Sequence, residues 1–307
     1  MQSENTRGAL LMMASMAAFT LNDTCVKALA GSLPLFQVIF LRGVLTTLLT
    51  ALLAWRMGAF QGGVPRGDRG LVALRLLAEI ASAYFFLMAL FHLPLANVTA
   101  ILQSLPLVVT LSAAVLFREP LGWRRMSAIL IGLCGVMLIV RPGTDGFTLY
   151  SVYALIAVGF VTMRDLCTRR LSRQTPSMLV TFLTSAAVMV SFGVASVFDS
   201  WAPVGVYEGG LIAGAAFFVF LGYLCSIMVM RVGDIAFVTT FRYTGLVWAL
   251  ILGWVVFGDW PAPLTLLGAA IVVGSGVFML YRERRLAMAA RRAGQGAWQA
   301  KRAFKPG

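Results

Sequence analysis

The sequence predicts an all-α integral membrane protein: ten transmembrane helices arranged as two inverted five-helix repeats. Three observations lead there. Of 307 residues, 60% are hydrophobic and only 12% charged, about half the charge of an average soluble domain, and the mean hydropathy is +0.87. The apolar residues fall into ten segments, 8–30, 35–56, 70–91, 95–117, 122–141, 148–170, 177–198, 207–230, 234–257 and 262–281. Each is close to the ~20 residues that carry a helix across a ~30 Å hydrocarbon core. Barrel strands would instead alternate in shorter runs.

The third observation is an internal echo. Asp23 recurs as Asp165, Cys25 as Cys167, Lys27 as Arg169 and Pro34 as Pro176, all at one constant offset in sequence number. In later spans the offset is shorter by two: Phe117 and Glu119 match Phe257 and Asp259, and Ala96 matches Ala236. Gly135-Val136 recurs as Gly276-Val277 with one inserted residue. Five spans per half is an odd number, so the second half enters the bilayer from the opposite side. The expected limits are 1–143 for the first repeat, 144–281 for the second, and 282–307 for a basic tail.

The first segment sets the theme. Asp23 and Lys27 lie inside it, where a charge costs about 2.5–3.5 kcal/mol on insertion scales and therefore faces protein or a wet cavity. Their spacing puts them on one helix face. Ala28-Leu29-Ala30 has the form of a signal-peptide cleavage box, but cleavage would delete the partner of the Asp165 segment. The second segment carries Arg42, the third Arg75 and Glu79. The fourth carries Gln103 and Ser104 ahead of Pro106, a residue that kinks a helix and frees carbonyls. The sixth carries Arg164, Asp165 and Arg169, and the ninth Arg242, Tyr243 and Trp248. Glycines 132, 135, 268, 274 and 276 form small-residue seams suited to close helix packing, including a homodimer contact.

Orientation follows from the basic residues. With the N-terminus in the cytoplasm, 19 of the 25 Lys and Arg lie on the cytoplasmic side, Arg141 alone lies opposite, and five lie within spans. Both termini are then cytoplasmic, in a bacterial inner membrane. The net charge of +13 is thus a topology signal and no sign of a nucleic-acid partner. Trp298 and Phe304 among the cations of the tail suit contact with an anionic lipid leaflet. Its last residues read as disordered. The four cysteines all lie in apolar spans and the one histidine is His92. Disulfide, metal and cofactor readings have no ligand spacing behind them. The chain has no G-x-S-x-G and no ATP-binding G-x-x-x-x-G-K-[ST] loop, which argues against a membrane enzyme and an ATP-driven pump.

Leu105-Pro106-Leu107-Val108-Val109, Phe117-Arg118-Glu119-Pro120 and Ile131-Gly132-Leu133-Cys134-Gly135-Val136 recur as Leu246-Val247-Trp248-Ala249-Leu250, Phe257-Gly258-Asp259 and Gly274-Ser275-Gly276-Val277. With Arg42 in Phe40-Leu41-Arg42-Gly43, these stretches resemble the EamA-like family of the drug/metabolite transporter superfamily over residues 8–281. Asp259 stands where that family usually has glutamate. The resemblance implies a ten-helix carrier with a cavity lined by spans one, three, four, six, eight and nine. It implies a small-molecule metabolite as partner and favours export, with uptake carriers also in the family. It is silent on the substrate.

Depth sorts the buried charges into an outer cluster, Asp23, Lys27 and Arg42, and an inner one, Arg75, Glu79, Arg164, Asp165 and Arg169. Asp23/Lys27, Arg75/Glu79 and Asp165/Arg169 have i,i+4 spacing and read either as self-neutralising pairs or as gate pairs that swap partners. The gating or coupling candidates are therefore Asp23, Lys27, Arg42, Glu79, Arg75, Asp165 and Arg164. Arg42 and Arg242 have no acid nearby in sequence, which suits an anionic or zwitterionic solute. Arg242, Tyr243, Trp248, Gln103, Tyr84 and Asn22 are the candidate substrate-binding residues, an aromatic and amide lining for an amphipathic solute. Glu119 and Asp259 read as helix-terminal acids. Two readings of Asp23 stand: it carries a proton or the substrate's amine, or Lys27 neutralises it and the protein is a facilitator or channel without ion coupling.

Overall fold

The structure is a computed structural model that describes residues 2–118, 122–141, 148–172, 174–229 and 238–303. Glu119, Ala236 and residues 304–307, all used above, lie outside the described residues. Among the described residues, ten helical spans are long and apolar enough to cross a membrane. Span one is α1 (Gln2–Ala28) and span two α2 (Leu35–Arg56); a 3₁₀ turn, Arg66–Asp68, leads into α3 (Arg69–His92), which is span three. Span four is split into α4 (Leu95–Leu102) and α5 (Leu105–Phe117). Then come α6 (Trp123–Val140), α7 (Leu149–Arg170), α8 (Ser177–Ser196) and α9 (Val206–Val229). Span nine starts as a 3₁₀ stretch, Thr239–Tyr243, and continues as α10 (Thr244–Phe257); span ten opens α11 (Pro263–Ala303). The helical backbone of α11 runs on through the basic tail to Ala303; the last residues, 304–307, for which disorder is expected, lie outside the described residues.

The echoed residues have local work to do. Pro34 and Pro176 stand immediately before α2 and α8, where a missing N–H costs nothing. Arg118 (φ 54°) and Gly258 (φ 69°) end α5 and α10 in the left-handed conformation, the usual way to close a helix C-terminus. Span four breaks at Gln103-Ser104 because Pro106 can neither donate to the carbonyl of Leu102 nor tolerate it sterically. The expected mid-helix kink is thus a full break, with Pro106 in the first turn of α5. At the matching place in span nine Leu246 replaces the proline, and the helix merely changes from 3₁₀ to α at Tyr243-Thr244.

The principal helix pairings are span one with eight, three with six, two with seven and five with ten. That set is unchanged when every span is exchanged for the one five places on in the other half. Spans five and ten meet at glycines: a Cβ at Gly135 would lie 2.8 Å from the Gly268 carbonyl oxygen, and one at Gly268 would lie 2.5 Å from that of Gly135. This seam is filled by the chain itself and supplies no argument for a homodimer. The apolar side chains left exposed, such as Leu48, Leu77, Val115 and Val255, give the bundle a lipid-compatible surface.

Aromatic clasps close both ends of the bundle near span seven. At one end, Phe60 of the connection between spans two and three meets Phe182 of α8 edge-on at 5.3 Å. Asp68 beside it accepts from the Ser172 backbone N–H at 3.1 Å, the Ser172 hydroxyl at 2.6 Å and the Thr175 hydroxyl. At the other end, Phe40 of α2 meets Trp201, in the connection between spans seven and eight, at 6.0 Å. Gln37 adds a two-way amide bridge to Ala202: Nε2 donates to its carbonyl at 2.8 Å, and Oε1 accepts from its N–H at 3.0 Å. Phe40 and Phe182 are themselves separated by the same offset as Asp23 and Asp165.

Candidate functional site

Spans two, three, seven and eight line a half-open cavity of about 70 Å³ whose wall is made by Arg42, Thr46, Glu79, Thr184, Ser185 and Tyr223, with Gly43, Ala83, Val188 and Val219 between them. Local packing sets these side chains. A Cβ at Gly43 would come within 3.2 Å of Met189, so the glycine lets α2 approach α8 and brings Arg42 to the wall. Gly222 does the same between α9 and α1: a Cβ there would fall 2.8 Å from the Phe19 ring. Phe19 in turn packs edge-on against Tyr223 at 5.4 Å.

The ionic groups form two networks that meet at this cavity. In the first, Asn22 Nδ2 donates to Asp23 Oδ1 at 2.9 Å, and Arg42 Nη1 donates to Asn22 Oδ1 at 3.0 Å. In the second, Arg164 donates to Asp165 Oδ1 through Nε at 2.9 Å and Nη2 at 2.8 Å, while its Nη1 reaches Glu79 Oε2 at 3.2 Å. Arg75 is held by hydroxyls, donating to Thr168 at 2.9 Å and to Thr184. Tyr223 lies among the charges of Glu79, Arg164, Arg42 and Arg75. The outer and inner clusters expected from depth therefore converge, with Arg42 and Glu79 on one wall-to-wall space.

The i,i+4 pairings differ from expectation. Among the described residues, Glu79 and Asp165 form their ion pairs with Arg164, and Arg75 forms none with Glu79. Lys27 is spent elsewhere. Its ammonium donates to the carbonyls of Leu93 at 2.6 Å and Leu90 at 3.3 Å and lies over Phe257. The reason is geometric: two free carbonyls at the C-terminal end of α3 satisfy an ammonium better than one flexible i,i+4 contact in a dry site. Arg169 lies over Phe117.

The expected substrate-binding residues are dispersed. Asn22 orders the first network. Tyr84 sits in an aromatic group with Phe36, Phe85 and Tyr153 at 5.2–6.5 Å, one residue from the cavity wall. Gln103 is buried against Gly245. Tyr243 is buried with its hydroxyl unpartnered and so close to Gly276 that any side chain there would collide with it. Trp248 is half-buried one turn beyond Gly245. Arg242 stands in the field of Asp165 and does not line the cavity. Thr46, Thr184, Ser185 and Tyr223 went unread. Thr184 was findable, since it stands from Arg42 at the offset that relates Asp23 to Asp165. Tyr223 is an isolated tyrosine in an apolar span and carries no such signal.

Comparison with known proteins relates the chain to membrane transporters. Residues 6–141 match the profile of the EamA-like transporter family. A riboflavin transporter of Vibrio cholerae serotype O1 is 30% identical over 69% of this chain and 72% of its own length. A pseudopaline exporter of Pseudomonas aeruginosa is 24% identical over 87% of this chain and 93% of its own. An S-adenosylmethionine uptake transporter of Rickettsia prowazekii is 23% identical over 91% and 94%. A solved crystal structure with 17% identity superposes with a TM-score of 0.59, covering 92% of this chain and 99% of that one, which shows a shared fold.

Proposed function

Because the chain belongs to the EamA-like transporter family, we propose that this multi-pass membrane protein is a secondary active carrier, not an enzyme. It exports a small organic metabolite, amphipathic and zwitterionic or anionic, by alternating access between two inverted five-helix halves. The observation that carries the reading is the cavity at which Arg42 and Glu79 meet Thr46, Thr184 and Tyr223. At about 70 Å³ it is far below the ~300–1,000 Å³ of ligand pockets, so the state described holds a head group at most. A larger site forms when one end opens. The loop asymmetry of 19 basic residues to one supports both termini in the cytoplasm of an inner membrane.

The test is counterflow. The purified chain in proteoliposomes loaded with candidate metabolites should give saturable, trans-stimulated exchange of at least one of them. Flux that rises linearly with concentration and shows no counterflow would replace the carrier by a channel. Uptake is the second reading, resting on the uptake transporters among the relatives; opposite gradients in the same vesicles separate it from export.

A further inference from the structure

Among the described residues Glu79 is the one acid on the cavity wall, and it is held loosely. Arg164 gives Asp165 two of its nitrogens, Nε at 2.9 Å and Nη2 at 2.8 Å. It gives Glu79 only Nη1, stretched between Oε2 at 3.2 Å and Oε1 at 3.4 Å. An ionised carboxylate has about four acceptor sites, so most of the capacity of Glu79 is unused. Every other cation near it is occupied. Arg75, on the same helix, donates to Thr168 and Thr184, and Arg42 of α2 donates to Asn22. The remaining groups around it are Tyr223 of α9 and Asp165 of α7.

We propose that Glu79 is the exchange acid of the carrier: it releases Arg164 Nη1 and takes a mobile cation, a proton or the ammonium group of a solute, from the cavity. This rests on the carrier reading above and moves the coupling role away from Asp23. The exchange balances. The two Nη1 contacts to Glu79 break, one cation binds the freed carboxylate, and Arg164 remains neutralised by Asp165 through Nε and Nη2. Arg164 keeps Asp165 throughout and the incoming cation replaces Nη1 at Glu79, so one ion pair is exchanged for another. Asp23 lacks that arrangement, since it is separated from Arg42 by Asn22 and is absent from the cavity wall.

A hydrophobic carbodiimide tests this without a known solute, because it adds only to a protonated carboxyl that it can reach. The full chain in liposomes is labelled between pH ~5 and ~8 and the sites are read by mass spectrometry, with methylammonium chloride or sodium chloride present. Glu79 should be labelled several-fold faster than Asp165 and Asp23. Faster labelling at lower pH identifies the proton as the cation taken. Several-fold protection by methylammonium over sodium identifies an ammonium. Either result supports the exchange. Labelling of Glu79 that is absent, or that responds to neither pH nor methylammonium, overturns it. Arg164→Gln should accelerate labelling at Glu79. Glu79→Asp should keep the labelling and its response to pH or methylammonium where Glu79→Gln loses it, and its failure to do so would also overturn the proposal. Since labelling requires no transport, loss of counterflow in the wild type would count against the carrier reading and not against this one.

Discussion

The ammonium of Lys27 lies 5.4 Å from the centroid of the Phe257 ring. The contact recurs at Arg169 and Phe117, at 5.7 Å. Lys27 and Arg169 are separated in sequence by the offset that relates Asp23 to Asp165, and Phe117 and Phe257 by the one shorter by two. Each pair ties the end of the first span of one half to the end of the fourth span of the other. A cation over an aromatic face contributes about 0.5–2 kcal/mol, the upper end when desolvated. Thermal melts of Lys27→Met, Phe257→Leu and the double variant should give a coupling in that range. Arg169 and Phe117 should give less, because Arg170 also lies over that ring at 4.2 Å and substitutes. Zero coupling at Lys27 and Phe257 would leave the recurrence without energetic meaning.

The fold was legible because a membrane span is written in length and hydropathy, both one-dimensional. Its ten spans follow the apolar segments closely, with differences at ends such as Arg66 against 70. The break in span four was legible in kind from Pro106 but not in place, since the proline acts on the carbonyl four residues earlier. The site was legible only in part. Arg42, Glu79, Arg164 and Asp165 announce themselves by charge in an apolar run. Which cation takes which acid is decided by helix crossings such as the one permitted by Gly43, and spacing along one helix cannot supply that. The hydroxyls of Thr46, Thr184 and Ser185 resemble the many threonines and serines that only bond back to their own helix, as Thr50 and Thr181 do.

Orientation can be checked in the cell. Reporter fusions at Gly205 should read periplasmic and fusions at Gly67 cytoplasmic, following the excess of loop Lys and Arg on the side of Arg56, Arg66 and Arg69. The reverse at both sites would invert the topology.

The two aromatic clasps should each be needed to open in turn. Phe60→Cys with Phe182→Cys, joined by a short thiol crosslinker, should arrest counterflow, and so should Phe40→Cys with Trp201→Cys. The matching single-cysteine proteins control for reaction at Cys134, the exposed native thiol. Full counterflow with either clasp crosslinked would mean that end never opens during the cycle.

Arg42 and Arg242 are now distinguishable. Arg42 lines the cavity and Arg242 does not. Charge-assisted hydrogen bonds are worth about 1.5–3 kcal/mol, so Arg42→Gln should raise the half-saturation concentration for an anionic or zwitterionic solute about tenfold or more. Arg242→Gln should change it far less and show its loss in thermal stability, since Asp165 then keeps Arg164 alone. Equal kinetic losses in the two variants would return Arg242 to the binding site.

The assignment of coupling turns on Asp23. Its carboxylate accepts from Asn22 at 2.9 Å, and Asn22 in turn accepts from Arg42 at 3.0 Å. Asp165, its echo in the sequence of the second half, accepts from its own preceding residue, Arg164, at 2.9 Å. In the first half the bridge is a neutral amide with the cation one step removed; in the second the cation is the bridge. Asp23 is therefore a brace that positions Arg42 through Asn22, and an uncharged amide can still accept that hydrogen bond. Asp23→Asn should keep its response to a pH gradient if the wild type has one, with affinity reduced through a less well-placed Arg42. Glu79→Gln should lose the gradient response and retain ungated exchange. Initial rates for wild type and both variants, each with and without an imposed gradient, decide it. Loss of the gradient response in Asp23→Asn with its retention in Glu79→Gln would restore Asp23 as the coupling group.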